Sequence, residues 1–570
     1  MFSIKAPSKI VRYSSLLLHV AGLAVFTAVV IFCCFYLLSD HDKLAAWYIN
    51  LNNCFYHAPT WSTDFFTPGI KSDGNVYCSL GILIAVAGSI YTLKQIKKNK
   101  LPGTNLVFTL SYADLICTGV CIIICACLWQ WGNRSALPAF DEAFSAQHVA
   151  DIHPLQGVSY YMLPNNHIFF NLLNNILFRY ATDKVLTGRI ISLIAYCSVI
   201  VSLYFIFKSL FKFWWMSLLA CITLSLQFFV WGFSFQARGY EVYLLAEWGM
   251  IASLFGFLQS DKKGWLHINT LCVIIGYFCL PSFLYFHTAQ LLFMLLYSLF
   301  YKKATAQFWK YQLMAILFTF LCYLPVLLFS GVESITHNDY VTPRYQTMAV
   351  FWEDLSSPVF KAYLSHIYSD LRIGTFDITL FLLFSPLLLL LARKNKALAS
   401  AGLFYLCMLL SYIIIAAVMK RMPFERNLAG HYSVSLAMLF LLIYWLSGLL
   451  TFRAIQSVVV PVVLVIFGVH FATTNEKLLK ETLYEYNVNE MYRFHQDRLN
   501  IIPAVSTVGF SDAEFYSYCI CRRNGCIVKK CPDGNEAYYV TQDNEGYPTW
   551  LNNNYQLLHK VYNYEIYKHR

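Results

Sequence analysis

Three groups of side chains in this sequence have types and spacings that suit chemistry. The first follows an apolar run ending at Trp129 and Trp131. Asp141 and Glu142 stand side by side in "ALPAFDEAFSAQHVADIHP", with His148, Asp151, His153 and His167 after them. Carboxylates near a membrane interface are costly unless solvated, paired or used, and three imidazoles beside three acids in one loop suggest use, without the spacing of a metal site. A short helix through 139–152 would put Asp141, Ser145 and His148 on one face. Phe140 and Phe144 would share the neighbouring face and lie against lipid headgroups. The plainer reading is a solvated loop with ordinary surface acids.

The second group is cationic. Arg238 and Tyr240 sit in "WGFSFQARGYEVYLLAEWG", and Lys420, Arg421, Arg426 and His431 in "MKRMPFERNLAGHYSVSLAM". Each set interrupts apolar sequence on the side of the chain where positive charge is unexpected. Local pairing with Glu241 or Glu425 is one explanation. Capture of a phosphate, for which arginine offers a two-pronged donor, is the other, and we favour it because both basic spots fall on the side of the acidic loop. The third group is Cys519, Cys521, Cys526 and Cys531. They suit two disulfides in an oxidising compartment; a zinc site is the alternative, less favoured because the C-x-C-x4-C-x4-C spacing lacks zinc knuckles.

The elements that must carry these groups are set by composition. Of 570 residues, 58% are hydrophobic and 13% charged, so a water-soluble fold is excluded. Apolar runs long enough to cross a bilayer fall near 14–38, 76–95, 107–131, 187–208, 214–231, 240–258, 265–280, 282–301, 310–330, 376–392, 398–418, 432–450 and 456–472. The pair around Pro281 depends on whether that proline marks a turn or a kink. About thirteen crossings place Lys5, Lys9 and Arg12, Lys94 to Lys100, Lys262 and Lys263, and Arg393 to Lys396 on one side, which the charge bias makes the cytoplasm. The long segments 39–75, 132–186 and 331–375 and the tail then lie outside.

The expected fold is a polytopic α-helical transmembrane bundle with a small α/β extracytoplasmic C-terminal domain. Its parts are 1–104 (two additional N-terminal helices), a core over 105–472 with external loops 132–186 and 331–375, and the tail 473–570. The tail begins helical, and "AVSTVGF", "EFYSYCICR", "CIVKKC" and "EAYYVTQ" read as strands with turns at "RRNG" and "PDG". The net charge of +11 follows mainly from topology, with attraction to anionic lipid or a phosphorylated ligand added. No basic stripe interleaved with aromatics suggests nucleic-acid binding.

Taken together, "FDEAF", "PNNHIFFNLL", "GRIISLI", "QARGY" and "ERNLAGHY" resemble membrane glycosyltransferases of the GT-C class, nearest to the bacterial protein O-mannosyltransferase and lipid A aminoarabinose transferase superfamily. The resemblance covers roughly 105–475. The chain departs from the family in its extra N-terminal helices, a broken "HPP" and the lack of D-x-D, which leaves a divalent cation an open question. The resemblance implies an inverting enzyme of the bacterial inner membrane. It would move a sugar from a polyprenyl phosphate to a lipid, glycan or protein acceptor on the outer face. Asp141 would be the catalytic base with Glu142 in support. Arg238 and Arg426 would hold the departing phosphate, and Tyr240, Lys420, Arg421, His167 and Asp151 would line the substrate site. The rival functions are a lipid-linked sugar flippase or transporter, which would show internal repeats or broken midplane helices, and a polysaccharide polymerase or ligase.

Overall fold

The structure, a computed structural model, describes residues 2–4, 8–52, 61–97, 108–136, 138–161, 166–181, 183–211, 213–301, 305–336, 347–350, 353, 396–420, 429–449, 453–486, 501–510, 525–529, 532–542, 547–561 and 564–570. Apolar runs become helices because a helix satisfies its own backbone polar groups where no water can. Those that bear on the site are α1 (Ser8–Leu38), α2 (His41–Asn50), α3 (Pro68–Lys97), α4 (Tyr112–Ser135), α5 (Phe140–Ser145), α6 (Pro154–Ser159), α7 (Ile168–Leu177), α8 (Lys184–Leu210), α9 (Trp214–Ser225), α10 (Phe228–Trp231), α11 (Tyr240–Ser260), α12 (Lys263–Cys279), α13 (Leu284–Tyr301), α14 (Ala306–Phe329), α15 (Glu333–Thr336), α16 (Lys396–Met419), α17 (Ala429–Leu449) and α18 (Arg453–Tyr486). The predicted crossings that fall on described residues are mainly helical, although 107–131 opens with the strand residues Phe108–Leu110 before its helix begins at Tyr112; the one at 376–392 lies outside the described residues.

Eight helices among the described residues are long and apolar enough to cross a membrane. Their outer faces carry exposed aliphatics, such as Leu80 and Leu83 on α3, Ile116 and Ile123 on α4, and Val462 and Ile466 on α18. Apolar surface on that scale belongs against lipid. The chain is an integral membrane protein built mainly of helices.

The crossing predicted over 214–231 needs correcting. The helix stops at Ser225 and a separate turn follows. The carbonyls freed by the break are taken up by neighbours: Tyr196 Oη donates to Ser225 O at 2.7 Å and Asn475 Nδ2 to Leu226 O at 2.8 Å. Pro281, by contrast, does mark a turn. Asn269 Nδ2 on α12 donates to Gln290 Oε1 on α13 at 2.7 Å. A continuous helix would hold those residues about 30 Å apart.

That contact belongs to a buried polar network in the bundle. Gln312 Nε2 on α14 donates to Asn269 Oδ1 at 2.9 Å, His287 Nε2 lies 2.9 Å from Gln312 Oε1, and Tyr277 Oη lies 3.0 Å from His287 Nδ1. Side-chain amides that bond across helices hold a bundle together where lipid offers no hydrophobic drive.

The N-terminal helices dock onto the C-terminal end of α14. Tyr48 on α2 stacks on Trp61 at 4.2 Å and on Phe329 at 4.5 Å. Its hydroxyl lies 2.8 Å from Ser159 Oγ on α6, and its carbonyl accepts from Gln156 Nε2 at 2.8 Å.

At the other end of the chain a five-stranded mixed sheet forms. Phe2–Ile4 and Phe108–Leu110 make a separate short pair, β1 and β2; the sheet comprises β3 (Thr507–Phe510), β4 (Ile527–Lys529), β5 (Tyr538–Gln542), β6 (Tyr555–Val561) and β7 (Tyr564–His569), ordered β4-β3-β5-β7-β6. β3 runs parallel to β4 and β5, while β7 is antiparallel to β5 and β6. The expected turns carry Gly525 and Gly534 at φ of 78° and 85°, a backbone region open to glycine at little cost. Cys526 is buried beside β4; Cys519, Cys521 and Cys531 lie outside the described residues, as does "EFYSYCICR".

Candidate active site at one end of the bundle

The acidic loop is wound rather than loose. α5 carries Asp141 and Glu142, and its continuation, 146–150, widens into a π-turn. The asparagines of "PNNHIFFNLLNNIL" staple the segment. Asn175 Nδ2 donates to the carbonyls of Ala150 and Ile152 at 2.8 and 2.7 Å, and Asn166 Nδ2 to those of Gly157 and Tyr160 at 2.8 and 2.6 Å. Asn174 Nδ2 donates to Lys184 O at 2.7 Å. α7 buries these amides and turns Ile176 and Leu177 outward, as an interfacial helix does. The expectation that Phe144 faces headgroups fails: it is buried, with its ring 5.0 Å from that of His148. The widened turn carries His148 inward as well.

The two adjacent acids have different fates. Glu142 is wholly enclosed. Arg189 on α8 grips it with two parallel bonds, Nε to Oε1 and Nη2 to Oε2, both at 2.9 Å. Backbone N–H groups of Ala139 and Ala237 also donate to it, at 2.8 and 2.6 Å. The far side of the guanidinium donates to Asn133 Oδ1 and Ala136 O at 2.9 and 3.0 Å. Burial alone would raise the Glu142 carboxyl, but the Arg189 charge and these donors more than offset it and hold the group below its usual range. Asp141, one residue earlier, points elsewhere. Its Oδ2 accepts from Arg238 Nη1 at 2.8 Å, and its side chain remains 35% exposed against 4% for the arginine.

Arg238 also reaches His167: its Nη2 lies 3.0 Å from His167 Nε2, while the backbone N–H of Gly239 donates to Nδ1 at 3.2 Å. Gly239 permits this closeness, since a Cβ there would stand 2.8 Å from the imidazole. Tyr240 completes the set, edge-on to His167 at 4.8 Å and with Arg238 5.6 Å from its ring centre. Gly188 lets α8 approach the same turn, because a Cβ there would lie 2.7 Å from Ala237 Cβ.

The structure thus joins Asp141, Arg238, His167 and Tyr240 directly, with Glu142 linked through the backbone of Ala237. Arg238 is paired with Asp141; Glu241, the local partner the sequence offered, is buried on α11 among Tyr196 and Cys197. Asp151 lies half-buried at the turn after the π-turn. His153 caps α6 through its Nδ1, which accepts from Leu155 N at 3.3 Å; burial and the nearby Arg179 push its imidazole down. Lys420 ends α16 at φ of 48°. Arg421, Arg426 and Glu425 lie outside the described residues. Arg189 was missed as a site residue, though "GRIISLI" displayed an arginine in an apolar run.

The fold and this site define a polytopic membrane protein with a charged cluster at one end of its helix bundle. No protein-family model matches the chain, and no curated protein matches it. Among the solved structures similar to it are two of ArnT from Cupriavidus metallidurans. The one bound to undecaprenyl phosphate is 10% identical over 79% of this chain and 97% of that one, with a TM-score of 0.43. The apo form has the same identity and coverage and a TM-score of 0.45. Likeness this distant leaves function to be argued from the side chains.

Proposed function

We propose that the chain is a GT-C-like inverting glycosyltransferase that takes a sugar from a polyprenyl phosphate and passes it to an acceptor hydroxyl of a lipid, glycan or protein. It would act on the outer face of a bacterial inner membrane, with its C-terminal domain on the same side. The observation that carries this reading is the unequal treatment of two neighbouring acids: Glu142 is fully engaged by Arg189, whereas Asp141 is held half-exposed by the buried Arg238. One acid fixes the loop and the other is presented.

In the resting protein Asp141 and Arg238 neutralise each other. A sugar phosphate arriving at this level competes for the guanidinium, whose planar fork suits phosphate as well as carboxylate. Asp141 is then released to accept the proton of the acceptor hydroxyl as that oxygen bonds the anomeric carbon. The bond from that carbon to the phosphate oxygen breaks, and Arg238 stabilises the charge the phosphate gains. His167 and Tyr240 set the position of Arg238. Glu142 works by positioning, since all its acceptor capacity is taken.

The test is release of polyprenyl phosphate from lipid-linked sugar by purified, membrane-reconstituted protein supplied with acceptor extracts. Stoichiometric release with sugar transfer is the expected result. Movement of the intact lipid across the bilayer without cleavage would instead make the chain a flippase.

A further inference from the structure

The short helix α6 joins the candidate site to the N-terminal helices. Its six residues are too few to form a stable helix alone, so α6 sits where its neighbours bond it. Two of those neighbours belong to the site. Gly157 packs so closely on the π-turn that follows Asp141 and Glu142 that a Cβ there would stand 2.7 Å from Val149 O. Asn166, the residue before His167, is buried and donates from Nδ2 to the carbonyls of Gly157 and Tyr160 at 2.8 and 2.6 Å. Its Oδ1 accepts from Asn171 Nδ2 at 3.0 Å, which ties it into α7. His167 then meets Arg238, with Nε2 3.0 Å from Nη2.

The other neighbours are remote in sequence. Gln156 Nε2 donates to Tyr48 O at 2.8 Å, and Tyr48 Oη lies 2.8 Å from Ser159 Oγ. All three residues are buried. Ser330, just past α14, donates from Oγ to Ser159 O at 2.5 Å and accepts from Tyr161 N at 3.1 Å. Tyr48 can grip α6 because it is itself clamped. Its ring lies 9° from parallel with Trp61, Trp61 lies 11° from Phe66, and Phe66 lies 14° from His41, which makes a column of stacked rings. His41 closes the column, with Nε2 2.6 Å from Phe66 O. Buried hydrogen bonds fix a position because breaking one strands a polar group. The N-terminal helices therefore hold α6, and α6 meets both the acid-bearing loop and the residue beside His167.

We propose that Tyr48 and Gln156 are positioning residues for phosphate capture: through α6 and Asn166 they hold His167, and through His167 they hold the Arg238 guanidinium where it takes the polyprenyl phosphate. This inference rests on the glycosyltransferase reading and gives the N-terminal helices a part in it. They brace the donor site and touch no substrate. Disturbing the brace changes lipid affinity without removing any group that contacts the lipid.

The experiment measures retention of bare polyprenyl phosphate by full-length protein in nanodiscs, together with the imidazole nitrogen NMR signals of His167, assigned by their loss in His167→Gln. Tyr48→Phe and Gln156→Leu should each weaken retention about three- to tenfold, the worth of one hydrogen bond, and shift the His167 signals. In a His167→Gln background Tyr48→Phe should add nothing, because its effect runs through that ring. Asn269→Leu, in the amide network among α12, α13 and α14, is the control for lost stability. It should lower the melting temperature and leave retention and the His167 signals unchanged. The inference is overturned if Tyr48→Phe and Gln156→Leu both keep wild-type retention, if Tyr48→Phe weakens retention as much in the His167→Gln background as in wild type, or if Asn269→Leu weakens it equally. If wild type retains no polyprenyl phosphate, the glycosyltransferase reading falls and the His167 signals alone decide the brace. Shifted signals in Tyr48→Phe sustain it, and unshifted ones overturn it.

Discussion

Glu142 and Arg189 meet through two parallel hydrogen bonds of 2.9 Å, with side chains 2% and 1% exposed. A buried pair of this kind contributes little net stability compared with apolar side chains of the same shape, but removing one partner strands the other charge. We expect Glu142→Gln or Arg189→Ala to cost about 3–5 kcal/mol, read as a lower melting temperature in detergent. Arg189→Lys should recover only part, because an ammonium cannot reproduce the fork. Unchanged melting in Glu142→Gln would show that the loop is held by its asparagines alone.

Acid should weaken the same loop in two stages. His153 is pushed below its usual 6.5. The unfolded chain therefore takes up a proton first, and stability falls as pH drops below about 6.5. Glu142 is held below its usual 4.5, so its contribution is complete above that pH and is lost further down. Melting temperature followed from pH 8 down to about pH 2 should show both limbs. His153→Gln should flatten the upper limb and Glu142→Gln the lower. A profile that His153→Gln leaves unaltered would remove the imidazole from this account.

Asp141→Asn keeps size while removing the charge and the proton acceptor. With normal melting, its sugar transfer should fall by about 10²–10⁴. Arg238→Lys should retain part of the activity and Arg238→Ala much less, with the loss shared between donor binding and turnover. Near-normal turnover in Asp141→Asn would move the base elsewhere in the loop, and Asp151→Asn is the next variant to assay.

The amide network among α12, α13 and α14 should behave as a unit. Asn269→Leu and Gln312→Leu are each expected to cost about 0.6–2 kcal/mol. The double variant should cost less than their sum, since the two share one bond of 2.9 Å. Simple additivity in a double-mutant cycle would mean that each amide is satisfied independently.

What the sequence disclosed and what it hid follow from the range of the interactions. The crossings were legible because burial in lipid demands unbroken apolar runs. The break at Ser225 was not, because it is stabilised by Tyr196 and Asn475, remote along the chain. Asp141 and Arg238 were each visible, but only the folded chain shows that Arg238 prefers that acid to the adjacent Glu241. That the asparagines of α7 staple the loop is visible only in the folded chain, where they reach the carbonyls of Ala150, Ile152 and Lys184. One signal was present and passed over: "YQLLHKV" and "YEIYKH" alternate as β6 and β7 do.

The stacking of Tyr48 on Phe329 has a consequence for biogenesis. The two rings are 281 positions apart, so the Phe329 side of the stack is missing until α14 has left the ribosome and entered the membrane. At roughly 5–20 residues per second, that interval is about 15–60 s. Throughout it Tyr48 rests on Trp61 and α6 alone, and the ring face that Phe329 will cover stays open to chaperones or to the same segment of a neighbouring nascent chain.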